Sequence, residues 1–354
     1  MSVIDADTHV DESESTWASL EGTEYEKYIP LTVELPPEMN KRAGFRGGTR
    51  RKWVLEDRMQ ARAVRDDVNH PPRLRRELED VPGRIAQMDD LGVDVQVIFP
   101  TFFIRYATEN AEAEWALTTA YNRWLAGKCR ETGGRLRWAA VLPLMRPDAA
   151  VEELRWAKDN GACGIFKRGF DLGRPVTDPH FFPVYEEAEK LDLALCIHTG
   201  HPSPGHEWDR GFPIMFAFSD LVDAKIPEKY PGLRFGFIEA GASWIPYMVS
   251  QIGAKRRQAE RGKQTALPDL YELAPDLFRE NRAYITIDLI DDIESILRFG
   301  TEDCLMIGTD YSHTDISANL SALAGVRHWA EEGKITDDQA GKILARNPKA
   351  FYGL

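Results

Sequence analysis

The sequence predicts an α/β fold, a (β/α)8 TIM barrel with a long N-terminal insertion after strand 1. About eight short apolar segments alternate with helical segments, and each apolar segment is nearly continuous, which is typical of parallel strands buried on both faces. Polar residues follow these segments at their carboxyl ends, where the active sites of such barrels are built. A doubly wound sheet would explain the alternation equally well, but no G-x-G-x-x-G motif follows the first strand.

The predicted elements follow one another within a single domain, residues 1–354. Strand 1 covers residues 3–10, and the Pro-, Gly- and charge-rich residues 11–82 are expected to be a long irregular lid or a partner surface. Apolar runs then predict strands at residues 93–100, 136–142, 163–166, 193–197, 233–238, 283–287 and 304–308. Helical spacing predicts helices at residues 82–91, 109–129, 148–159, 183–191 and 216–225, and a C-terminal pair that ends at Tyr352.

The composition excludes several classes of partner. Apolar residues make up 43% of the 354 residues, enough for a large core, and the net charge of −13 makes nucleic acid and anionic membranes poor partners. Four cysteines without a C-x-x-C pair indicate buried thiols in a reducing compartment. No leader or long apolar run is visible, so we expect a soluble, cytoplasmic protein.

Strand 1 carries the first candidate metal ligands. Asp5, Asp7 and His9 alternate along the strand and are therefore expected on one face. If the barrel closes, Asp7 and His9 meet His198 from strand 5 and Asp310 from strand 8. Two imidazoles and two carboxylates suit a divalent metal ion, with Zn²⁺ first and Mn²⁺ or Fe²⁺ nearly as suitable.

Four motifs give the chain a family resemblance. They are IDADTHV at residues 4–10, IH at 197–198, PGLRFGFIE at 231–239 and GTDYSH at 308–313. In order and spacing, the chain resembles the amidohydrolase superfamily, and within it the amidohydrolase-related branch that includes aminocarboxymuconate-semialdehyde decarboxylase. Residues 121–125 and 347–354 resemble that branch too, so the likeness runs nearly end to end. The resemblance implies one divalent metal held by Asp7, His9, His198 and Asp310, with Asp310 also able to take a proton from a metal-activated water.

Two strand ends leave alternatives open. Glu239 differs from the residue that the decarboxylases of this branch have, and Lys167 has two candidate roles. Strand 6 ends in Glu239, where those decarboxylases have a histidine that acts on the substrate. Glu239 is therefore a candidate general base, an extra metal ligand or a group that binds a substrate amine. Lys167 at the end of strand 4 is expected to bind a substrate anion together with Arg168; the alternative is a carboxylated lysine that bridges two metals.

Further candidates lie on loops over the predicted barrel mouth. His201 is a candidate catalytic residue and His206 a candidate substrate contact, because both follow His198 on a Pro/Gly-rich loop. Arg105 is a candidate substrate clamp, with a structural ion pair as the alternative. His313 follows Asp310 by three residues and is expected to orient it without binding the metal.

Three functional hypotheses remain open at this point. The first is a metal-dependent hydrolase that directs a metal-activated water at a small polar or aromatic carboxylic acid, because a hydrolase tolerates Glu239 more readily. The second is a non-oxidative decarboxylase of an aromatic or muconate-like acid, and the third is an iron-dependent redox enzyme on the same scaffold. In each, the partner is a small-molecule substrate, and we also expect a homodimer.

Overall fold

The computed structural model describes residues 2–42, 51–62, 71–200, 211–259, 269–314 and 317–354. Eight parallel strands form one sheet, and we number them in chain order from β1 to β8. They are β1 Ile4–Val10, β2 Val95–Pro100, β3 Leu136–Val141, β4 Ala162–Arg168, β5 Ala194–His198, β6 Phe235–Ile238, β7 Ala283–Ile287 and β8 Leu305–Ile307. Each strand pairs with the next one along the chain, as expected for a (β/α)8 barrel.

The barrel closes between β1 and the segment that follows β8. A parallel bridge joins Thr8 to Tyr311, and the His9 amide donates to the Tyr311 carbonyl over 2.8 Å. Gly308 permits the close approach of the two strands, because a Cβ at this position would lie 2.4 Å from the Asp7 Cβ. The predicted TIM barrel is thus confirmed.

Helices surround the sheet. The α-helices are Glu14–Trp17, Pro37–Arg42, Arg73–Arg76, Val81–Leu91, Ala111–Arg130, Pro147–Asp159, Phe182–Lys190, Gly211–Asp223, Ile226–Lys229, Ile245–Ala259, Leu277–Glu280, Ile293–Leu297, Ala322–Glu331, Asp337–Gly341 and Asn347–Tyr352. Short 3-10 turns are Ala18–Leu20, Glu26–Tyr28, Phe102–Ile104, Pro179–Phe181 and Leu270–Glu272, and Lys342–Arg346 is a π-helical turn. None of the helices in the described ranges is long and apolar enough to cross a membrane.

The strands and the inward faces of the helices form the core. Every residue of β1, β4 and β5 is buried, as the continuous apolar runs predict for strands covered on both faces. The four cysteines are also buried and free. The long helix Ala111–Arg130 begins where Asn110 accepts hydrogen bonds from the Glu112 and Ala113 amides, a usual N-cap.

The segment after β1 is more regular than its composition indicates. Within residues 11–82, the strands Leu31–Glu34, Arg51–Leu55 and Arg58–Ala61 form an antiparallel sheet. Trp53 from its central strand packs edge-on against Trp17 and Phe102, with ring centroids 6.2 and 6.0 Å apart. These buried aromatic rings anchor the small sheet to the loop that follows β2. Residues 43–50 and 63–70 of this segment lie outside the described residues.

Candidate metal centre and active site

The carboxyl ends of the strands gather a buried cluster of histidines and carboxylates. Asp7 and His9 come from β1, His198 ends β5, and Glu239 directly follows β6. Their ligand atoms lie within 4.8 Å of one another. His198 Nε2 is 3.2 Å from both His9 Nε2 and Glu239 Oε2. We call Asp7, His9, His198 and Glu239 the central group.

The hydrogen bonds of the two histidines fix what they present to the centre of this group. His9 Nδ1 lies 3.0 Å from the Pro100 carbonyl, and His198 Nδ1 lies 2.8 Å from the Thr199 carbonyl. A carbonyl oxygen only accepts, so each Nδ1 carries the hydrogen and each neutral ring presents its Nε2 lone pair. Two lone pairs 3.2 Å apart repel each other unless a proton or a cation lies between them.

Asp7 strengthens the case for a cation. Its Oδ1 lies 3.5 Å from His9 Nε2 and 3.6 Å from His198 Nε2, and both distances are too long for a good hydrogen bond. This oxygen accepts no hydrogen bond from any of the described residues. Asp7 is only 3% exposed, and a buried carboxylate oxygen without a donor is costly. Imidazole nitrogens and carboxylate oxygens are the ordinary ligands of Zn²⁺ and Mn²⁺, so the residues present fit a divalent metal ion.

Burial and neighbouring charges perturb the ionisation of these residues in different directions. Burial lowers the pKa of His9 to about 3, and the charge of His313 acts in the same direction. Burial alone would raise the pKa of Asp7, but the neighbouring imidazoles of His198 and His9 hold it well below its usual value. Burial also acts to lower the pKa of His198, but the carboxylates of Glu239 and Asp7 raise it. His9 is therefore neutral near pH 7, which is the form that binds metal ions.

Asp310 and His313 form a second group with His9 and Glu239, also within 4.8 Å. The Asp310 amide donates to the Asp7 carbonyl over 3.0 Å, which ties the end of β8 to β1. Asp310 Oδ1 lies 3.4 Å from His9 Nε2 and 2.7 Å from His313 Nδ1. The His313 ring stacks on His9 at 3.8 Å, and its Nε2 lies 3.0 Å from Thr101 Oγ1.

Sequence reasoning missed three hydroxyl groups at this site. Thr199 Oγ1 donates to Glu239 Oε2 over 2.9 Å, and Ser317 Oγ lies 3.0 Å from Asp310 Oδ2 and 3.3 Å from Glu239 Oε1. Thr199 and Thr101 directly follow β5 and β2, so the rule that identified His198 would also have found them. Ser317 lies on a loop, seven residues after Asp310, and carries no such signal.

Asp5 has a different role from its neighbours on β1. Its carboxylate accepts hydrogen bonds from the Thr309 amide and hydroxyl, over 2.8 and 2.6 Å, and belongs to neither metal-ligand group. The pairing of β1 with β2 shifts register between Asp5 and Thr8, which interrupts the simple alternation assumed from the sequence. Asp5 thus joins β8 to β1.

The predicted anion binders on β4 contact another acidic residue. Lys167 Nζ donates to Asp171 Oδ2 over 2.8 Å, and Arg168 Nε donates to Asp171 Oδ1 over 2.6 Å. Arg168 also donates to the carbonyls of Phe103 and Arg105, and Lys167 belongs to neither metal-ligand group. The structure thus places both cations in a buried ion-pair cluster.

His201 and His206 lie outside the described residues. Arg105 is placed on the loop after β2, where its carbonyl accepts from Arg168. Its charge also acts, after burial, to lower the pKa of Lys52 on the small sheet to about 8. The substrate roles of these three sequence candidates stay predictions.

Comparison with known proteins identifies the family. The model of the amidohydrolase family matches residues 4–354. The chain is 27% identical to a gamma-resorcylate decarboxylase of Rhodococcus jostii over 352 residues, 90% of this chain and 96% of that protein. An amidohydrolase structure from Mycobacterium avium subsp. paratuberculosis aligns over 99% of both chains, with a TM-score of 0.75 and 18% identity. A manganese-containing 5-carboxyvanillate decarboxylase structure from Novosphingobium aromaticivorans aligns over 77% of this chain and 79% of its own, with a TM-score of 0.59 and 18% identity. The chain therefore belongs to the amidohydrolase family and is an enzyme of that family.

Proposed function

We propose that the protein is a metal-dependent decarboxylase of an aromatic carboxylic acid of the gamma-resorcylate type. The observation that carries this proposal is the similarity to gamma-resorcylate decarboxylase over 96% of that protein, in a chain whose strand ends gather histidines and carboxylates that could hold a metal ion. The proposal reverses the order of the two main hypotheses drawn from the sequence, which placed hydrolysis first. The iron-dependent redox alternative stays a prediction.

Asp7, His9, His198 and Asp310 would hold the divalent ion. Bound there, it supplies positive charge that anchors the oxygen atoms of the substrate and stabilises the electron density left on the ring. We place Mn²⁺ ahead of the Zn²⁺ favoured by the sequence, because a related decarboxylase structure contains manganese and because carboxylate ligands suit that ion.

The pair formed by Asp310 and His313 is suited to the proton transfer that the reaction needs. In the reaction, the bond between the ring carbon and the carboxylate breaks, CO₂ leaves, and the electron pair stays on the ring carbon, which then takes one proton. Asp310 Oδ1 would deliver that proton, and His313 Nδ1, only 2.7 Å away, would replace it. Thr101 Oγ1 holds the other nitrogen of His313 and so keeps its ring in place.

The test is an assay of the Mn²⁺-loaded protein with gamma-resorcylate in D₂O. We expect CO₂ release and a phenolic product that carries one deuterium at the carbon that lost the carboxyl group. Asp310→Asn protein should lose this activity by a factor of about 100 or more, because positioned proton transfer contributes about 10²–10⁴-fold. A product without that deuterium, or no CO₂ from a panel of hydroxybenzoates, would contradict the proposal.

A Glu239 carboxylate that does not itself bind the metal would favour a second candidate function, hydrolysis of an ester, lactone or amide of a small acid. A carboxylate beside a metal-activated water is a competent general base, whereas related decarboxylases are expected to carry histidine at this position. The discriminating assay uses H₂¹⁸O, because hydrolysis places one ¹⁸O atom in the acid product. Decarboxylation incorporates a solvent hydrogen at carbon instead.

The proposal also covers the identity of the substrate, the residues that contact it and the oligomeric state. We expect a small aromatic acid as substrate, as for the gamma-resorcylate decarboxylase relative. Arg105, Arg168 and Lys167 remain candidates for contacting it, together with His201 and His206. A homodimer and a cytoplasmic location remain predictions from the sequence.

A further inference from the structure

We propose that Glu239 is a direct ligand of the divalent metal, beside Asp7, His9, His198 and Asp310, and not an acid or base that acts on the substrate. This assignment goes beyond the proposed function and does not depend on the identity of the substrate. It rests on the position of the Glu239 carboxylate, on its backbone conformation and on the residues that hold it.

Distance is the first argument. Glu239 Oε2 lies 3.2 Å from His198 Nε2 and 3.9 Å from His9 Nε2, whereas Asp7 Oδ1 lies 3.6 and 3.5 Å from the same two atoms. Glu239 therefore approaches the two imidazole lone pairs as closely as Asp7 does, and Asp7 is a ligand in the set that the family resemblance implies. Glu239 also belongs to both metal-ligand groups, as does His9, whereas Asp310 belongs only to the second. Among the described carboxylates, Asp7 and Glu239 are thus the two that share a metal-ligand group with both His9 and His198.

The backbone is the second argument. Glu239 has φ = +62°, in the left-handed region that glutamate rarely adopts, and its amide donates to Thr286 Oγ1 over 2.8 Å. Such a conformation costs about 1–2 kcal/mol and persists where the surroundings enforce it, often at functional sites. Asp310, the family ligand after β8, has the same kind of backbone, with φ = +49°. Two strained residues that follow barrel strands thus direct carboxylates into one cluster.

The hydrogen bonds around Glu239 are the third argument. Its Oε2 accepts from Thr199 Oγ1, and Ser317 Oγ lies within reach of its Oε1. Hydroxyl donors of this kind hold metal-binding carboxylates in place, and each carboxylate oxygen has a second lone pair for the metal. Thr199 also supplies the carbonyl that orients His198, so one residue positions two members of the central group.

The proposed ligand set has a chemical consequence. Glu239, Asp7 and Asp310 together offer three carboxylates beside two imidazoles, a harder and more negative set than the one that the resemblance implies. Such a set shifts the preference from Zn²⁺ towards Mn²⁺. It also leaves the pair of Asp310 and His313 as the groups available for proton transfer, in a decarboxylase and in a hydrolase alike.

The test measures binding of Mn²⁺ alone to the metal-free full-length protein, with free Mn²⁺ followed by its electron paramagnetic resonance signal. Glu239→Gln keeps the shape of the side chain and removes its charge. Loss of a residue that only supports a ligand typically weakens metal affinity about 10–100-fold, so loss of a charged ligand should weaken it by more than about 100-fold. Glu114→Gln is the matched control, since it removes another largely buried carboxylate from a residue in neither metal-ligand group, and should change the affinity less than about twofold.

An affinity loss below about tenfold for Glu239→Gln would overturn the assignment. A crystal structure of the wild-type protein with Mn²⁺ decides any value between these limits and does not require the variant to fold. A Glu239 oxygen within about 2.5 Å of the ion supports the proposal, because metal–carboxylate bonds are about 2.0–2.2 Å long for Zn²⁺ and only slightly longer for Mn²⁺. A separation beyond this limit refutes it. Neither readout uses turnover, so an inactive protein that binds Mn²⁺ through Glu239 would refute only the proposed decarboxylase function.

Discussion

Asp171→Asn tests whether the cations at the end of β4 are structural or available to the substrate. Asp171 is 1% exposed and pairs with Lys167, which is 2% exposed, and with Arg168, which is 9% exposed. Without its charge, two buried cations lose the carboxylate that offsets the cost of their burial. Removal of one partner from a buried ion pair typically costs about 3–5 kcal/mol of unfolding free energy.

This loss converts into a measurable shift of the melting temperature. The entropy of unfolding is about 2.1 cal/mol/K per residue, so a chain of 354 residues has about 0.7 kcal/mol/K in total. The expected decrease is therefore about 4–7 °C for Asp171→Asn, measured by calorimetry at pH 7. Glu186→Gln is the control, because the exposed pair of Glu186 with Lys190, at 3.0 Å, should contribute a shift of less than about 1 °C.

A melting temperature within about 1 °C of the wild type would refute the structural role. If Lys167→Met at the same time raised KM about tenfold without a change in melting temperature, the interpretation from sequence would be correct. Lys167 would then bind a substrate anion, and its contact with Asp171 would be incidental.

Three further predictions concern the metal, pH and barrel closure. Removal of the metal with a chelator should lower the melting temperature by about 5–6 °C, because an ion at 1,000 times its Kd adds about 4.1 kcal/mol to the folded state; His198→Ala protein should show no such decrease. Burial raises the pKa of Glu114 from 4.5 to about 7, so the carboxyl group of Glu114 holds its proton more tightly in the folded protein than in the unfolded chain. The folded protein therefore loses stability as the pH rises from about 4.5 through 7. Glu114→Gln should therefore gain up to about 3 kcal/mol over the wild type between pH 5 and pH 8 in urea unfolding, and parallel pH profiles would contradict this. Thr309→Val removes a hydroxyl that donates to Asp5 over 2.6 Å and should cost about 1–3 kcal/mol, whereas an unchanged urea midpoint would show that Asp5 does not need it.

Periodicity and the barrel rule were sufficient to predict the fold. The predicted bounds of strand β7, Ala283–Ile287, are the observed ones. The predicted starts and ends of the other barrel strands differ from the observed ones by at most two residues. This agreement arises because a fully buried strand must be an almost continuous apolar run. The segment after β1 was not predictable in the same way. Its strands are short and partly exposed, and the packing of Trp53 on Trp17 and Phe102 that holds them is a tertiary contact without a local signal.

The partners of charged residues were harder to predict than the positions of the residues. Lys167 and Arg168 do end β4, but the chain then forms a hairpin, Phe170–Asp171 with Arg174–Pro175, that brings Asp171 back onto both cations. A lysine that follows a barrel strand is compatible with substrate binding, metal bridging or an internal ion pair. Only the path of the next few residues decides among these, and no periodic pattern encodes that path.

Glu239 shows why a strand-end rule locates a site without assigning its chemistry. The rule places the residue at the barrel mouth, but the direction of its carboxylate depends on a left-handed backbone at φ = +62° and on the Thr286, Thr199 and Ser317 hydroxyls. These three hydroxyls come from residues 40 to 78 positions away along the chain. An extended backbone at this residue would point the same carboxylate elsewhere and leave His198 Nε2 with a weaker set of anionic neighbours. The difference between a metal ligand and a general base at this position therefore resides in distant hydroxyl groups and in one backbone angle.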